Sequence, residues 1–576
     1  MDFLKCNPNQ WYLNETKYLE LLQNEEIWNQ IPLLNANELH DLQDWQLVRF
    51  RGMIQDMHGP ELYLEKFTVR NTETAETTIK FGKYVDAADC KPNETIEECP
   101  STIPSERHVY VAVSIPGINP WVHKLEEDKY KLPSSNPSTS MQNNLKRPVQ
   151  EMEVTSAKLS NAEPLDSNKR SCTHPPRPEE TTPFVSQEYL LNFPIPNPSG
   201  KVCRLKIYKD TDKIKLNSVF EFVGFLSLNP ILGTNNDDDM NGLESQIHNP
   251  PSSLIPRIHC VTFKSLSHNN PLVTQEKLSP DKMQVIRKEL LILLTQLMCG
   301  DELAAEYLIY HFISQVYLRK DFMALGKFSL NISNVPMLEN IDYVQELYKF
   351  IELLTTKSHY LPMLLEYMNE LNFVPKKDYN ADRLTSSVLQ LSDNTHLVLD
   401  ETKLTPGKLN QSGVTGVRAL SNTIKNQKIM YDFTYYQLEY DCDIPFLVLS
   451  EGKSMLPSDV HVILAPETTH LRTFSEILGA ARHFLKPELL DDIRLYLTSA
   501  RLTQYDLSDN VLEMVQNKFV EMRQSGHVTG DDLHSLLVLA RLVCISQGKN
   551  TLDEGCWKKA CALEEARKER IKYRSS

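Results

Sequence analysis

The stretch NTHLVLDETKL, Asn394 to Leu404, runs an apolar strand into an Asp–Glu pair. In ATPases of the P-loop class such a pair divides the work at a strand end: the Asp holds Mg²⁺ and the Glu polarises the attacking water. Asp400 and Glu401 are therefore the residues whose types and spacing come nearest to chemistry. They require a phosphate cradle upstream, a strand, then G-x-x-x-x-G-K-[ST], then a helix. Backbone N–H groups must approach the phosphates closely, and a Lys must neutralise their charge. The matching place is GKFSLNISNVPMLENIDYVQELY, with a strand predicted over Lys327–Ile332 and a helix from Ile341. Between them SNVPMLEN carries neither Gly nor Lys; Pro336 removes an N–H and Glu339 adds negative charge. Asp400 and Glu401 are thus read as a relict acidic pair with no catalytic role, and no cofactor is expected.

A second phosphate-like signal is Gly452-Lys453-Ser454, directly after the strand in LVLSEGKSMLP. The first glycine of the motif would fall at Leu447, inside the strand, so the loop is too short to wrap a phosphate. The sixteen His show no HExxH or paired-ligand spacing, and the eleven Cys are scattered without a CxxC, so no metal site is expected. The N-terminus MDFLKCNPNQWYLNE has no basic region followed by an apolar run, which reads as reduced thiols and no secretory signal. No window approaches the ~20 apolar residues of a membrane span.

These residues need elements to position them. A chain of 576 residues suggests several domains. Residues 1–44 read as an amphipathic helical segment packing through Trp11, Leu19, Leu22 and Trp28. From Trp45, WQLVRFRGMIQDM, ELYLEKFTV, TTIKFGKYV and RHVYVAVSIPG alternate apolar and polar residues as half-buried strands do. Residues 124–183 are rich in Ser, Pro, Asn, Thr, Glu and Lys and are expected to be a disordered insertion. Strands resume at KVCRLKIYKD, SVFEFVGFLSL and RIHCVTFKSL, interrupted by an acidic loop at Asp237–Asp239. Residues 45–123 and 184–275 together fit one OB-like β-barrel split by the insertion, since two half-sheets would leave open edges. Residues 276–470 alternate helices and strands, as a parallel α/β sheet does, and residues 471–576 read as a helical lid. The fold class is α+β, multi-domain.

The formal charge of −15 argues against a protein whose main task is gripping phosphate backbones. The cations and aromatics of the barrel, Arg49, Arg51, Tyr110, Trp121 and Lys124, leave open a single-stranded nucleic-acid face. The basic pairs Lys146, Arg147 and Lys169, Arg170 in the insertion are candidate nuclear-import signals.

The blocks FRGMIQDMHGPELY, FGKYVD, GDELAAEYLIYHFIS, PKKDYNADRL, LVLDET, YDFTYYQLEY, SEGK and FVEMR resemble the MCM-binding protein family from about residue 45 to the C-terminus. That family is in turn similar to subunits of the MCM replicative helicase. The resemblance implies an OB-containing domain, a degenerate AAA+-like core and a C-terminal helical lid. It departs from the helicase where ATP is touched. Asp531 and Asp532 stand where the helicase lid carries a sensing Arg, and no Ser-Arg-Phe finger follows SEGKSMLP. What it implies is a non-catalytic nuclear scaffold that binds MCM subunits. Its expected roles are DNA replication, helicase assembly or unloading, and sister-chromatid cohesion, with indirect chromatin association and no direct nucleic-acid binding. Two other readings are a divergent AAA+ ATPase and a single-stranded nucleic-acid-binding OB protein.

Overall fold

Alternation in QLVRFRGMI carries into a single strand of 25 residues, β1 (Leu47–Asn71). The sequence suggests two strands here. Register shifts at Ile54/Asp56, Met57/Pro60 and Leu64/Lys66 bend one strand instead, so that its two halves serve different partners. Its outer half pairs with β2 (Thr77–Phe81) and β3 (Glu94–Glu97), and its middle with β4 (Ile103–Ser114). β5 (Val202–Ile207) pairs antiparallel with β4 and parallel with β7 (Arg257–Ser265), which pairs with β6 (Val219–Ser227). β6 returns to Leu47–Met53 of β1, closing a barrel in the order β1-β4-β5-β7-β6. Closure leaves these five strands no free edge. The structure, a computed structural model, describes residues 2–88, 90–97, 99–132, 186–197, 199–228, 250–273, 278–320, 323–506, 515–516, 520, 523–524 and 529–575.

The N-terminal residues form short helices, Pro8–Leu13, Glu15–Leu21 and Glu25–Gln30, rather than one amphipathic run. Asn7 and Asn24 cap two of them through side-chain oxygens, and such Asn punctuation breaks a helix as readily as it starts one. Trp11, Leu22 and Trp28 are buried against Leu47, Val223 and Phe225 of the barrel. The helix Pro120–Tyr130 runs into the stretch whose composition suggests an insertion, starting with Pro120 in its first turn and burying Val122 and Glu126.

After the helices Pro280–Leu297 and Glu302–Ile313 comes a hairpin, β8 (Leu318–Lys320) with β9 (Met323–Leu325). A parallel sheet follows, built from β10 (Leu330–Ser333), β11 (Ser358–Pro362), β14 (His396–Asp400), β17 (Phe446–Leu449) and β18 (Val460–Ile463), ordered β11-β14-β17-β10-β18. Beside it two hairpins, β12 (Lys376–Asp378) with β13 (Arg383–Thr385) and β15 (Lys428–Asp432) with β16 (Gln437–Asp441), join into a four-stranded sheet. The strand Ser358–Pro362 lies where YLPMLLEYMNEL reads as helical; the helix starts only at Leu365, after Pro362.

Period-two alternation decides where the sheet's side chains go. Val398, Leu447 and Leu449 enter a core with the surrounding helices, including Gly530–Ser546 and Glu554–Ser575 near the C-terminus. Leu397, Leu399, Phe446 and Val448 enter a second core shared with barrel residues such as Phe50, Leu205 and Phe222. Polar ties reinforce this contact: Gln55 Nε2 donates to Leu384 O at 3.0 Å, and Tyr431 Oη to Asn217 Oδ1 at 2.8 Å. Among the described residues no helix is long and apolar enough to cross a membrane.

Candidate nucleotide site

Ligands of parallel α/β sheets sit at the carboxyl ends of the strands, so the relevant place is where β10, β14 and β17 end. Asp400 closes β14 and is wholly buried. Tyr360 Oη donates to its Oδ2 at 2.6 Å, while the Thr402 amide and hydroxyl donate to its Oδ1 at 2.9 and 2.5 Å. Both oxygens are thus occupied, and Asp400 works as the cap of the turn Glu401–Lys403. Replacing Asp400 by Asn keeps one acceptor and adds a donor for Tyr360. It is expected to lower stability by about 1–2 kcal/mol in thermal melts, the scale of one weakened charge-assisted hydrogen bond.

Glu401 turns the other way and meets the decoy motif. Ser454 Oγ donates to Glu401 Oε1 at 2.7 Å, and the amides of Met455 and Leu456 face the same carboxylate. Burial nonetheless pushes the Glu401 carboxyl above its ordinary range. No helix follows Gly452-Lys453-Ser454; the next element is β18, so the loop lacks the helix N-terminus that a phosphate needs.

The cradle position is filled from within. Asn334 adopts left-handed backbone, its amide donating to Glu451 O at 3.0 Å and its Nδ2 to Leu464 O at 2.8 Å. The Val335 amide donates to Ser450 O at 3.2 Å. The helix Tyr343–Leu354, whose N-terminus would face the triphosphate, is capped by Asp342: its Oδ1 accepts from the Gln345 amide at 3.2 Å. Asp342 Oδ2 holds Lys403 Nζ at 2.5 Å. A carboxylate with its own counter-ion therefore occupies the positive end of the helix dipole. Sequence reading missed Asp342 and Lys403. The signal available was the Asp three residues before Gln345, an N-cap pattern.

Towards the C-terminus Asp532 completes a capping box with Thr529 and pairs with Lys568 at 3.0 Å, so this residue does helix-end work. Among the described residues no group of three or more His, Cys, Asp or Glu is gathered for a metal ion.

Four of the five barrel cations and aromatics serve the interior. Arg49 Nη1 and Arg51 Nε both reach Glu221 Oε1 at 3.0 Å; Arg51 Nη1 also reaches Glu126 at 2.5 Å. Both guanidiniums stack on Tyr130, at 4.7 and 5.6 Å from the ring centre. Tyr110 is core, and Trp121 donates to Thr355 O at 2.8 Å beneath Arg494. Lys124 alone is exposed. Lys146, Arg147, Lys169 and Arg170 lie outside the described residues.

The fold and site together define a mixed α+β protein in which the carboxyl ends of a parallel sheet are closed by the chain's own carboxylates, hydroxyls and amides. Comparison with known proteins gives it a place. The chain belongs to the family described as mini-chromosome maintenance replisome factor, which matches residues 18–571. It is 38% identical to the mini-chromosome maintenance complex-binding protein of Drosophila melanogaster, over 96% of this chain and 94% of that one. It is 36% identical to the protein of the same name from Mus musculus, over 99% and 95%. The Homo sapiens protein of that name is 36% identical, over 98% and 94%. The resemblance read from FRGMIQDMHGPELY onward is thereby established.

Proposed function

We propose that this chain is a non-catalytic nuclear scaffold that binds subunits of the MCM replicative helicase. In that role it supports DNA replication, helicase assembly or unloading, and sister-chromatid cohesion, and its association with chromatin is indirect. The observation that carries the reading is the Asp342–Lys403 pair at the helix N-terminus where a triphosphate would sit. The names of the relatives, complex-binding proteins rather than enzymes, support the partner. The barrel is taken as OB-like, since its five strands close with one parallel crossing, and the α/β part as a degenerate AAA+-like core. Shape without turnover lets such a chain pair with a helicase subunit and leave the nucleotide to its partner.

Purified MCM subunits presented one at a time to the full-length chain test the reading, and capture of none of them refutes it. Nucleotide is the second arm. Millimolar Mg-ATP is expected to leave the melting temperature unchanged, because a ligand that does not bind the folded state contributes no linkage stabilisation. Saturable stabilisation, or magnesium-dependent hydrolysis lost in Asp400→Asn, would instead establish an ATPase.

A further inference from the structure

Where the two hairpins of the four-stranded sheet end, the chain puts large aromatic rings into water. Tyr435 is 84% exposed, Tyr436 54% and Tyr379 49%, with Leu438 beside them on β16. Exposed aromatics scattered singly mean nothing, but these are gathered. Tyr379, from the β12–β13 tip, lies 5.6 Å ring to ring from Tyr435 at the β15–β16 tip. Its hydroxyl donates to Phe433 O at 2.9 Å, fastening one tip to the other. Phe433 and Tyr436 stack at 5.1 Å with 12° between their planes. The turn is held in shape. Thr434 sits in left-handed backbone, its amide donating to Asp432 Oδ1 at 2.8 Å, and the Phe433 amide donates to Tyr436 O at 3.0 Å. At the root, Tyr431 is buried, packs edge-on against Tyr440 and bonds Asn217 of the barrel. A rigid stem thus presents rings that lose little entropy on docking, the usual make-up of an interface anchor.

Charge selects the occupant. Lys377 faces Asp382 at 2.9 Å, Lys428 faces Glu439 at 3.3 Å and Arg319 faces Asp441 at 3.4 Å. Asp378 and Asp432 add further negative charge at the tips. A nucleic-acid strand stacking on these rings would meet exposed Lys376 but otherwise paired cations and the carboxylates Asp378 and Asp432, a poor electrostatic funnel. A protein surface with an apolar cleft and a basic rim fits both the rings and the charge. Among the described residues β16 pairs only with β15, leaving a strand edge next to the anchor.

We infer that the twin-hairpin tip, Tyr379, Tyr435 and Tyr436 with the outer face of β16, is the surface by which this chain docks a basic-rimmed apolar cleft on a helicase subunit, an assignment that rests on the scaffold reading above. The test uses the full-length chain, purified MCM subunits and a fluorescent single-stranded oligonucleotide. Tyr435→Ser combined with Tyr436→Ser is expected to weaken subunit binding by about tenfold or more, the scale of losing interface anchors, with the melting temperature kept. Glu439→Lys is expected to weaken it severalfold. Subunit binding within twofold of the parent for both variants overturns the surface while leaving the scaffold reading intact; no subunit binding by the parent overturns both. Oligonucleotide binding that is lost in the tyrosine variant and strengthened by Glu439→Lys overturns the inference in favour of a nucleic-acid face.

Discussion

Replacing Glu221 by Ala is expected to cost about 3–5 kcal/mol of stability, because removing one member of a buried ion pair leaves its partner charged and unpaired. Here Arg49 loses its carboxylate partner, whereas Arg51 keeps Glu126. Arg49 is fully buried and Arg51 partly so, and both reach the same Glu221 oxygen. The other oxygen accepts from Trp28 Nε1 at 2.8 Å, so the substitution also orphans a buried indole. Arg49 Nε in turn donates to Ile31 O at 2.8 Å, and Leu33 bridges to Arg49 along the backbone. This one carboxylate therefore links β6, β1 and the N-terminal helices. Although burial pushes the Glu221 carboxyl up, the two guanidiniums hold it below the usual range. A carboxyl lowered in the fold gives stability present at neutral pH and lost as pH falls through its folded value. Urea unfolding measures the loss, and limited proteolysis should release the N-terminal segment before the barrel is cut. Lys213→Ala, which removes an exposed pair with Asp210, should leave the urea midpoint essentially unchanged. Equal effects from the two variants would disprove the buried-network argument.

That network also marks where sequence reading stops. The alternation in LVRFRG locates a strand but cannot say which face is covered, so Arg49 and Arg51 looked available for a ligand. Their partner Glu221 is 172 and 170 positions away, and no local pattern announces it. The same distance hid the use of Glu401, whose partner Ser454 is 53 residues on. By contrast the lack of a phosphate-loop motif is a local fact of the sequence, because glycine and lysine would be required at fixed spacing. Elements with strong periodicity, such as Pro280–Leu297 and its Ser279 cap, were legible for the same reason. The strand Ser358–Pro362 was not: a short apolar run is the same in a buried strand and in a helix, and only its pairing with β14 settles it. The hairpin tip lies in the family-like block YDFTYYQLEY, yet its aromatic cluster depends on Tyr379 arriving from another hairpin.

Acid is expected to destabilise the fold steeply between pH 7 and 5. His311 and His396 lie ring against ring at 5.4 Å, both fully enclosed. His311 Nδ1 meets Phe328 O at 3.2 Å, which places the proton on that nitrogen, while His311 Nε2 and His396 Nδ1 find no hydrogen-bond partner among the described residues. Burial is the main cause that lowers both; the charges acting on His396 are those of His311, Arg501 and Lys357, all of one sign. His311 is lowered to about 4, and burial takes His359 on β11 to about 4 as well. The unfolded chain takes up protons near 6.5 and the folded chain only near 4, so stability is lost as pH falls through this window. At pH 5 each such imidazole withholds about 2 kcal/mol relative to high pH. Lys357, lowered to about 7 by the same burial, has the same sign but acts mostly above pH 7, where its unfolded counterpart is still charged. Denaturant midpoints recorded from pH 8 to 5 test this. His311→Gln, whatever its stability at pH 8, should lose about 2 kcal/mol less than the parent by pH 5. Parallel profiles for the two proteins would show that His311 is protonated in the folded state and that the enclosed pair is not the source of the acid response.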